Sequence, residues 1–207
     1  MHVKLRKVRI RNFRNFDDVT ISPFPTPAVI LGENGVGKSN LLHALRLVLD
    51  PGLPDRRRRL QPDDVHDGAP SLAEGVDVSV EVELTDFNDD IDACSELDGA
   101  IIETDPYVAR LTYVFRPKAA LAAVLGTADA RPLTPDDYEW TIFGAEDPAK
   151  SMLAAKQYAS MSVLPALRDA EGDLDRADRS PLTRLLRELP PAQDNEPFSS
   201  WSGCVGR

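Results

Sequence analysis

An α/β fold is what this 207-residue sequence predicts, with a mixed sheet, an antiparallel β-rich part and a C-terminal helical segment. Three observations carry that prediction. Ala28-Val29-Ile30-Leu31 is unbroken apolar sequence leading through a glycine-rich turn, Gly32–Gly37, into the leucine-rich stretch Lys38–Asp50. Three later segments alternate apolar and polar residues with a period of two. Further on, Ser151–Ala170 is rich in Ala, Leu and Met and reads as helical.

Taken in order, Val3–Phe13 predicts a basic strand, with Val3, Leu5, Val8 and Ile10 interleaved among Lys and Arg. A turn at Arg14-Asn15 leads to a second short strand, Phe16–Ile21, and the cluster Ser22–Pro27 breaks the chain. Ala28–Leu31 is expected to be a strand covered on both faces, because continuous apolarity marks that situation. Lys38–Asp50 predicts a helix, apolar on most of its circumference and therefore buried, stopped by Pro51-Gly52. Pro54–Pro70 is polar and expected to be a loop. Val76, Val78, Val80, Val82 and Leu84 alternate with polar residues through Thr85. Arg110–Arg116 repeats the pattern, as do Tyr138, Trp140 and Ile142, so an antiparallel sheet is expected. Pro117–Leu125 suggests a short helix ended by Gly126. Ser151–Ala170 is expected to be helical with a kink at Pro165. Ser180-Pro181 opens a second helix striped by Leu182, Leu185, Leu186 and Leu189. Residues 1–190 are expected to be the N-terminal part of one domain and 191–207 a disordered tail.

Composition excludes several classes. The chain has 42% hydrophobic and 28% charged residues, which fits a globular protein rather than a disordered one. Its longest purely apolar run is Ala119–Leu125, far below the roughly 20 residues of a membrane helix. No membrane partner is expected, and the first residues carry no apolar core of a signal peptide. Cys94 and Cys204 lie far apart, so neither a disulfide framework nor a cysteine zinc site is expected, and the cytoplasm is the expected location. The net charge is −10, from 24 Lys+Arg and 34 Asp+Glu. That balance argues against a surface devoted entirely to nucleic acid, while leaving room for local basic patches.

Gly32-Glu33-Asn34-Gly35-Val36-Gly37-Lys38-Ser39 matches GxxxxGK[ST] without a mismatch, between an expected strand and an expected helix. Each part has a physical reason. Glycines let the backbone wrap closely round phosphates. Backbone N–H groups at a helix N-terminus supply partial positive charge. Lys38 adds a full charge for the β- and γ-phosphates, and the Ser39 hydroxyl suits Mg²⁺. No NKxD stretch reads guanine, which favours ATP over GTP.

Other candidates carry less. Leu47-Val48-Leu49-Asp50-Pro51 resembles an acid-ended strand but falls within the expected helix, and Ile101-Ile102-Glu103 is too short. Arg56–Arg59 is either a DNA phosphate contact or a solvated loop. His66, between Asp64 and Asp67, is a metal candidate without a second ligand cluster and reads better as a loop residue. Asp173-Leu174-Asp175 with Asp178 mimics a metal motif but is flanked by Arg176 and Arg179.

The stretch Ile10-Arg11-Asn12-Phe13-Arg14-Asn15-Phe16, followed by Gly32–Ser39 and Asn40-Leu41-Leu42-His43-Ala44-Leu45, resembles the opening of RecF/SMC-like ABC-type ATPases. Tyr138–Gly144 and Leu164–Ala170 resemble the OLD (overcoming lysogenization defect) family of ATP-dependent endonucleases within that group. The resemblance covers roughly residues 3–190. It implies a P-loop NTPase of the ABC/RecF-like type, present here as an incomplete domain. Gly32, Glu33, Asn34, Gly35, Val36, Gly37, Lys38, Ser39 and Asn40 would bind ATP, with Arg14 nearby. Ser39 would hold Mg²⁺, with Asp169 as a second metal-facing group and Gln61 as its rival. The resemblance assigns no catalytic residue to this chain. No Leu-Ser-Gly-Gly stretch occurs, so the hydrolytic and nuclease parts are expected to lie outside it. The implied partners are ATP, DNA through a full-length parent, and a second copy of that parent in a homodimer. The alternatives are a RecF-like repair ATPase without nuclease, and a non-catalytic nucleotide-binding remnant.

Overall fold

The structure is a computed structural model, and it describes residues 3–122, 131–147 and 161. Its frame is one six-stranded antiparallel sheet built from β1 (Lys4–Phe13), β2 (Phe16–Ile21), β3 (Val78–Thr85), β4 (Ile101–Thr104), β5 (Tyr107–Pro117) and β6 (Tyr138–Gly144). The order is β2-β1-β3-β5, with β4 and β6 both pairing with β5. β4 takes the beginning of β5 and β6 the remainder.

The period-two segments pair as their alternation requires. Val8 lies opposite Val82 and Ile10 opposite Val80. Across the next ladder Val80 meets Tyr113 and Val82 meets Leu111, and Tyr113 in turn meets Ile142 of β6. All of these are buried, so one face of the sheet forms the core. A one-residue slip in any ladder would send that apolar set to the other face. That other face is charged. Lys7 and Arg110 both pair with the nearly buried Glu83, at 3.1 and 3.0 Å. Burial acts to raise the Glu83 pKa, but these two hydrogen bonds and charges outweigh it and hold the carboxyl below its ordinary value.

Helix α1 (Lys38–Leu49) packs on the apolar face. Leu41, Ala44, Leu45, Leu47, Val48 and Leu49 are buried, whereas Leu42 is 40% exposed. The broad apolar circumference is therefore mostly covered. Leu45→Ala should cost about 2–5 kcal/mol through lost burial and a residual cavity. An unaltered Tm in that variant would overturn the placement of Leu45 in the core.

Short elements complete the frame: α2 (Asp55–Arg58), α3 (Ile91–Glu96) and α4 (Ala119–Ala122). The stretch 54–70, expected to be loop, contains α2 and a 3-10 turn at Pro62–Asp64. That turn is capped by Asp64, whose Oδ2 accepts from the Gln61 backbone N–H at 3.0 Å. The expected helices beyond residue 150, the tail and Asp169 lie outside the described residues, apart from Met161, whose N–H donates to Leu49 O at 2.8 Å.

Two expectations are corrected. Ala28–Leu31 is not a buried strand: it has no ladder partner, and Val29 and Leu31 are 78% and 86% exposed. The ladders of the six described strands run among themselves, and the isolated bridge outside them joins Phe13 to Val65, not to the 28–31 run. Phe24 N–H bonds to Arg6 O at 2.7 Å, beyond the end of β2, and the prolines at 25 and 27 have no N–H to offer a ladder. The apolar run therefore leaves the sheet, and no described strand covers it. The second correction concerns Arg56–Arg59, which is neither a uniform solvated loop nor a uniform basic patch. Arg58 is 1% exposed and Arg59 pairs with Asp136 at 3.1 Å, while Arg56 and Arg57 remain exposed. Glu103, at the end of the short Ile101–Glu103 run, sits on strand β4 and pairs with Arg6 at 2.9 Å.

Candidate functional site

The glycine-rich loop ends where α1 begins. Gly37 is the residue before the helix and has φ 103°, the left-handed region that only glycine enters freely. Space demands glycine there as well: a Cβ would lie 2.1 Å from Asn15 Nδ2. No side chain caps the helix, and its first hydrogen bond is Leu41 N–H to Gly37 O, at 2.9 Å. The preceding N–H groups are thus unused by the helix and add partial positive charge at this end. They border an open pocket of about 160 Å³ lined by Asn34, Gly35, Gly37, Lys38, Ser39 and Asn40.

Lys38 folds its ammonium back across the loop. Its Nζ donates to Gly32 O at 2.7 Å and to Glu33 O at 2.6 Å. This contact curls Gly32–Gly37 round the lysine, so backbone donors and a full positive charge converge on one small, polar space. Such an arrangement suits a polyphosphate.

The hairpin tip between β1 and β2 lies against the same loop. Asn15 Nδ2 donates to Val36 O at 3.3 Å, and Asn40 Nδ2 donates to Asn15 Oδ1 at 2.8 Å. Arg14 Nη1 donates to Asn40 Oδ1 at 2.8 Å, and Arg14 Nε donates to Asp64 Oδ1 at 2.9 Å. Three chain segments, far apart in sequence, meet here: 12–15, 36–40 and 61–66. Backbone contacts fix the third segment. Arg14 N–H bonds to Asp64 O at 2.9 Å, His66 N–H bonds to Asn12 O at 3.0 Å, and Phe13 pairs with Val65. His43 of α1 stands behind the tip, edge-on to Phe13 at 5.7 Å. Burial, and then the Arg14 charge, push its pKa below the ordinary histidine value.

Of the residues singled out from sequence, Gly32 through Asn40 form one continuous loop-and-helix start, and Arg14 joins it through Asn40. Asp169 lies outside the described residues. Gln61 reaches the site only indirectly, through its turn with Asp64. His66 has its Nδ1 2.8 Å from Arg14 O, and no group of three His, Cys, Asp or Glu among the described residues could hold a metal ion. Asn15 and Asp64 were missed. Their only sequence signal was position, Asn15 beside Arg14 in the tip and Asp64 beside the more conspicuous His66.

Left-handed glycine, lysine curled by its loop and an uncapped helix start together give this segment the form of a P-loop. A family model described as AAA domain matches residues 7–116, just over half of the chain, and the chain belongs to that family. It is similar to the DNA replication and repair protein RecF of Anaeromyxobacter sp. (strain K), 46% identical over 43 residues, which cover 21% of this chain and 12% of RecF. It is also similar to Endonuclease GajA of Bacillus cereus (strain VD045), 32% identical over 90 residues, covering 44% of this chain and 15% of GajA. The chain thus matches about an eighth of the length of these curated relatives. A solved chain from work on ATP-driven dimerization and DNA-stimulated activation of SMC ATPases aligns at 20% identity and TM-score 0.44, over 88% of this chain and 95% of that one. Among the described residues no helix is long and apolar enough to cross a membrane.

Proposed function

We propose that this chain is the ATP-binding N-terminal part of an OLD-type, ATP-dependent DNA endonuclease. The observation that carries the reading is the loop Gly32–Ser39, with Lys38 curled over it and α1 starting uncapped behind. The β- and γ-phosphates would take the loop N–H groups and Lys38 Nζ, and the Ser39 hydroxyl would face Mg²⁺. When bound, Mg²⁺ would neutralise phosphate charge. The residues present suit it, since a hydroxyl and phosphate oxygens are the hard ligands it prefers. The wider assignment is supported by the similarity to GajA, an endonuclease, over 90 residues, 44% of this chain. In this reading DNA and a second copy engage the longer protein, and hydrolysis draws on residues outside these 207.

A second reading, a RecF-like repair ATPase without nuclease, is favoured by the higher identity to RecF over its shorter stretch. The downstream reading frame separates the two: a Toprim-like Glu and DxD support the endonuclease.

The test of the ATP site is calorimetric titration of the purified chain with Mg-ATP, run beside a phosphate-release assay. Saturable binding with turnover near background is expected, because losing even one preorganised transition-state donor typically costs about 10²–10³ in rate. Robust phosphate release that vanishes in Lys38→Ala would place a complete hydrolytic site within this chain. No saturable binding would overturn the ATP site.

A further inference from the structure

Asp64 belongs to no part of the loop motif, yet it is the acceptor on which the hairpin tip turns. Its side chain is 16% exposed and takes two nitrogens of Arg14, Nε at 2.9 Å and Nη2 at 2.8 Å. The third, Nη1, is given to Asn40, the residue directly after Ser39. Arg14 itself sits at φ 50°, and Asn12 two residues earlier at φ 55°. A non-glycine residue in that region is strained and persists only when its surroundings over-determine it. Here they do: the Arg14 N–H bonds to Asp64 O, and its carbonyl lies 2.8 Å from His66 Nδ1.

We propose that Asp64 is a positioning residue of the phosphate site, acting on it through Arg14 and Asn40. The inference rests on the ATP-binding reading above. The chain of contacts runs Asp64, Arg14, Asn40, Asn15, Val36 O. It fixes the residue after Ser39 from one side and the peptide before Gly37 from the other. Both ends of the Gly37–Lys38–Ser39 turn are thereby held by a carboxylate that never needs to touch the ligand. Arg14 Nε and Nη2 both approach one oxygen, Asp64 Oδ1, while Oδ2 accepts from the Gln61 N–H, so the carboxylate is anchored by its own turn as it holds the guanidinium through a charge-assisted contact. Without it, Arg14 is released from its strained tip, Asn40 loses a donor, and the turn must be ordered at the moment of binding.

The test is a double-mutant comparison on the full 207-residue chain: wild type, Asp64→Ala, Arg14→Ala and the double variant. Mg-ATP Kd is measured by calorimetry and the ligand-free Tm on the same samples. Asp64→Ala should weaken Mg-ATP binding about tenfold. In the Arg14→Ala background the same change should shift Kd less than twofold, because Asp64 then has nothing to act through. A lowered Tm with unchanged Kd would show that Asp64 only supports the fold and would overturn the proposal. So would tighter binding, which would mean that Asp64 holds Arg14 back from the phosphates. Additive losses would overturn the route through Arg14. Should Asp64→Ala not fold, Asp64→Asn replaces it, keeping volume and one acceptor while removing the charge. Failure of the wild type to bind Mg-ATP overturns the ATP-binding reading and this proposal with it. Wild-type binding with Asp64→Ala unaffected overturns this proposal alone.

Discussion

Lys38→Ala will reduce Mg-ATP affinity by about 10² or more while leaving the fold intact. Hydrogen bonds to charged groups contribute roughly 1.5–3 kcal/mol each, and in the proposed pose the ammonium serves two phosphates. Two such contacts exceed the 2.8 kcal/mol that corresponds to about a hundredfold in Kd. The second half of the prediction follows from where Lys38 sits. Its Nζ partners, Gly32 O and Glu33 O, are on the exposed loop, so water replaces the lost donor at little cost. Calorimetry should find no saturable heat at millimolar Mg-ATP, and the ligand-free Tm should stay within about 2 °C, the shift that ~0.5 kcal/mol brings in a chain of this size. Mg-ATP should raise the Tm of the wild type by mass action and leave that of the variant unmoved. Unchanged affinity would overturn the phosphate site.

Arg58→Ala will destabilise the chain by about 3–5 kcal/mol, from about 1–3 kcal/mol for a buried carbonyl left without a donor together with the packing lost. Arg58 is 1% exposed. Its guanidinium donates to Leu47 O at 3.3 Å and also to Leu53 O and Asp50 O, and it lies over the Trp140 ring at 5.5 Å. The Arg58 backbone carbonyl accepts from the Tyr113 hydroxyl, which ties the same residue to β5. Burial pushes its pKa down, and Asp55 and then Asp50 partly offset this. The last carbonyls of a helix have no partner within it, and here Arg58 supplies donors at the far end of α1 from the phosphate loop. Truncation leaves those carbonyls unsatisfied, opens a cavity beneath Trp140 and removes the cation–π contact. A Tm fall of about 6–20 °C is expected at roughly 2–4 °C per kcal/mol. Arg58→Met, which keeps the stem and its packing but no donors, should recover only part of the loss. Full recovery by Met would mean that packing on Trp140, and not the helix-end hydrogen bonds, holds the junction.

Arg58 also shows why part of this fold was hidden in the sequence. Arg56, Arg57, Arg58 and Arg59 are the same residue type in a row, and nothing local distinguishes the third. Its burial follows from α2 turning one of four side chains under α1, where Leu47, Asp50 and Leu53 carbonyls wait. Asp64 was hidden for a related reason: its partner Arg14 lies 50 residues away. In the sequence Asp64 stands out only as a flank of His66, itself read as a loop residue, and the hairpin tip that claims it is formed by a distant segment.

Elements governed by short-range rules were legible. Val78, Val80, Val82 and Leu84 declare a strand by alternation alone, and the ladders with β1 and β5 follow from matching faces. Gly35, Gly37, Lys38 and Ser39 declare the loop, because their spacing suits only a turn entering a helix. Ala28–Leu31 is the instructive failure. Its apolarity was read correctly, but a strand exists only when another strand offers its hydrogen bonds, and no described strand does.

The sequence by itself therefore determined the sheet faces, α1 and the phosphate loop, since periods of two and 3.6 and the dihedral freedom of glycine act over a few residues. Only the tertiary structure decided which arginine is buried, which aspartate holds Arg14 and which apolar run goes unpaired. Those outcomes depend on side chains and carbonyls brought together from distant segments, and no local pattern encodes which of several equivalent residues will meet them.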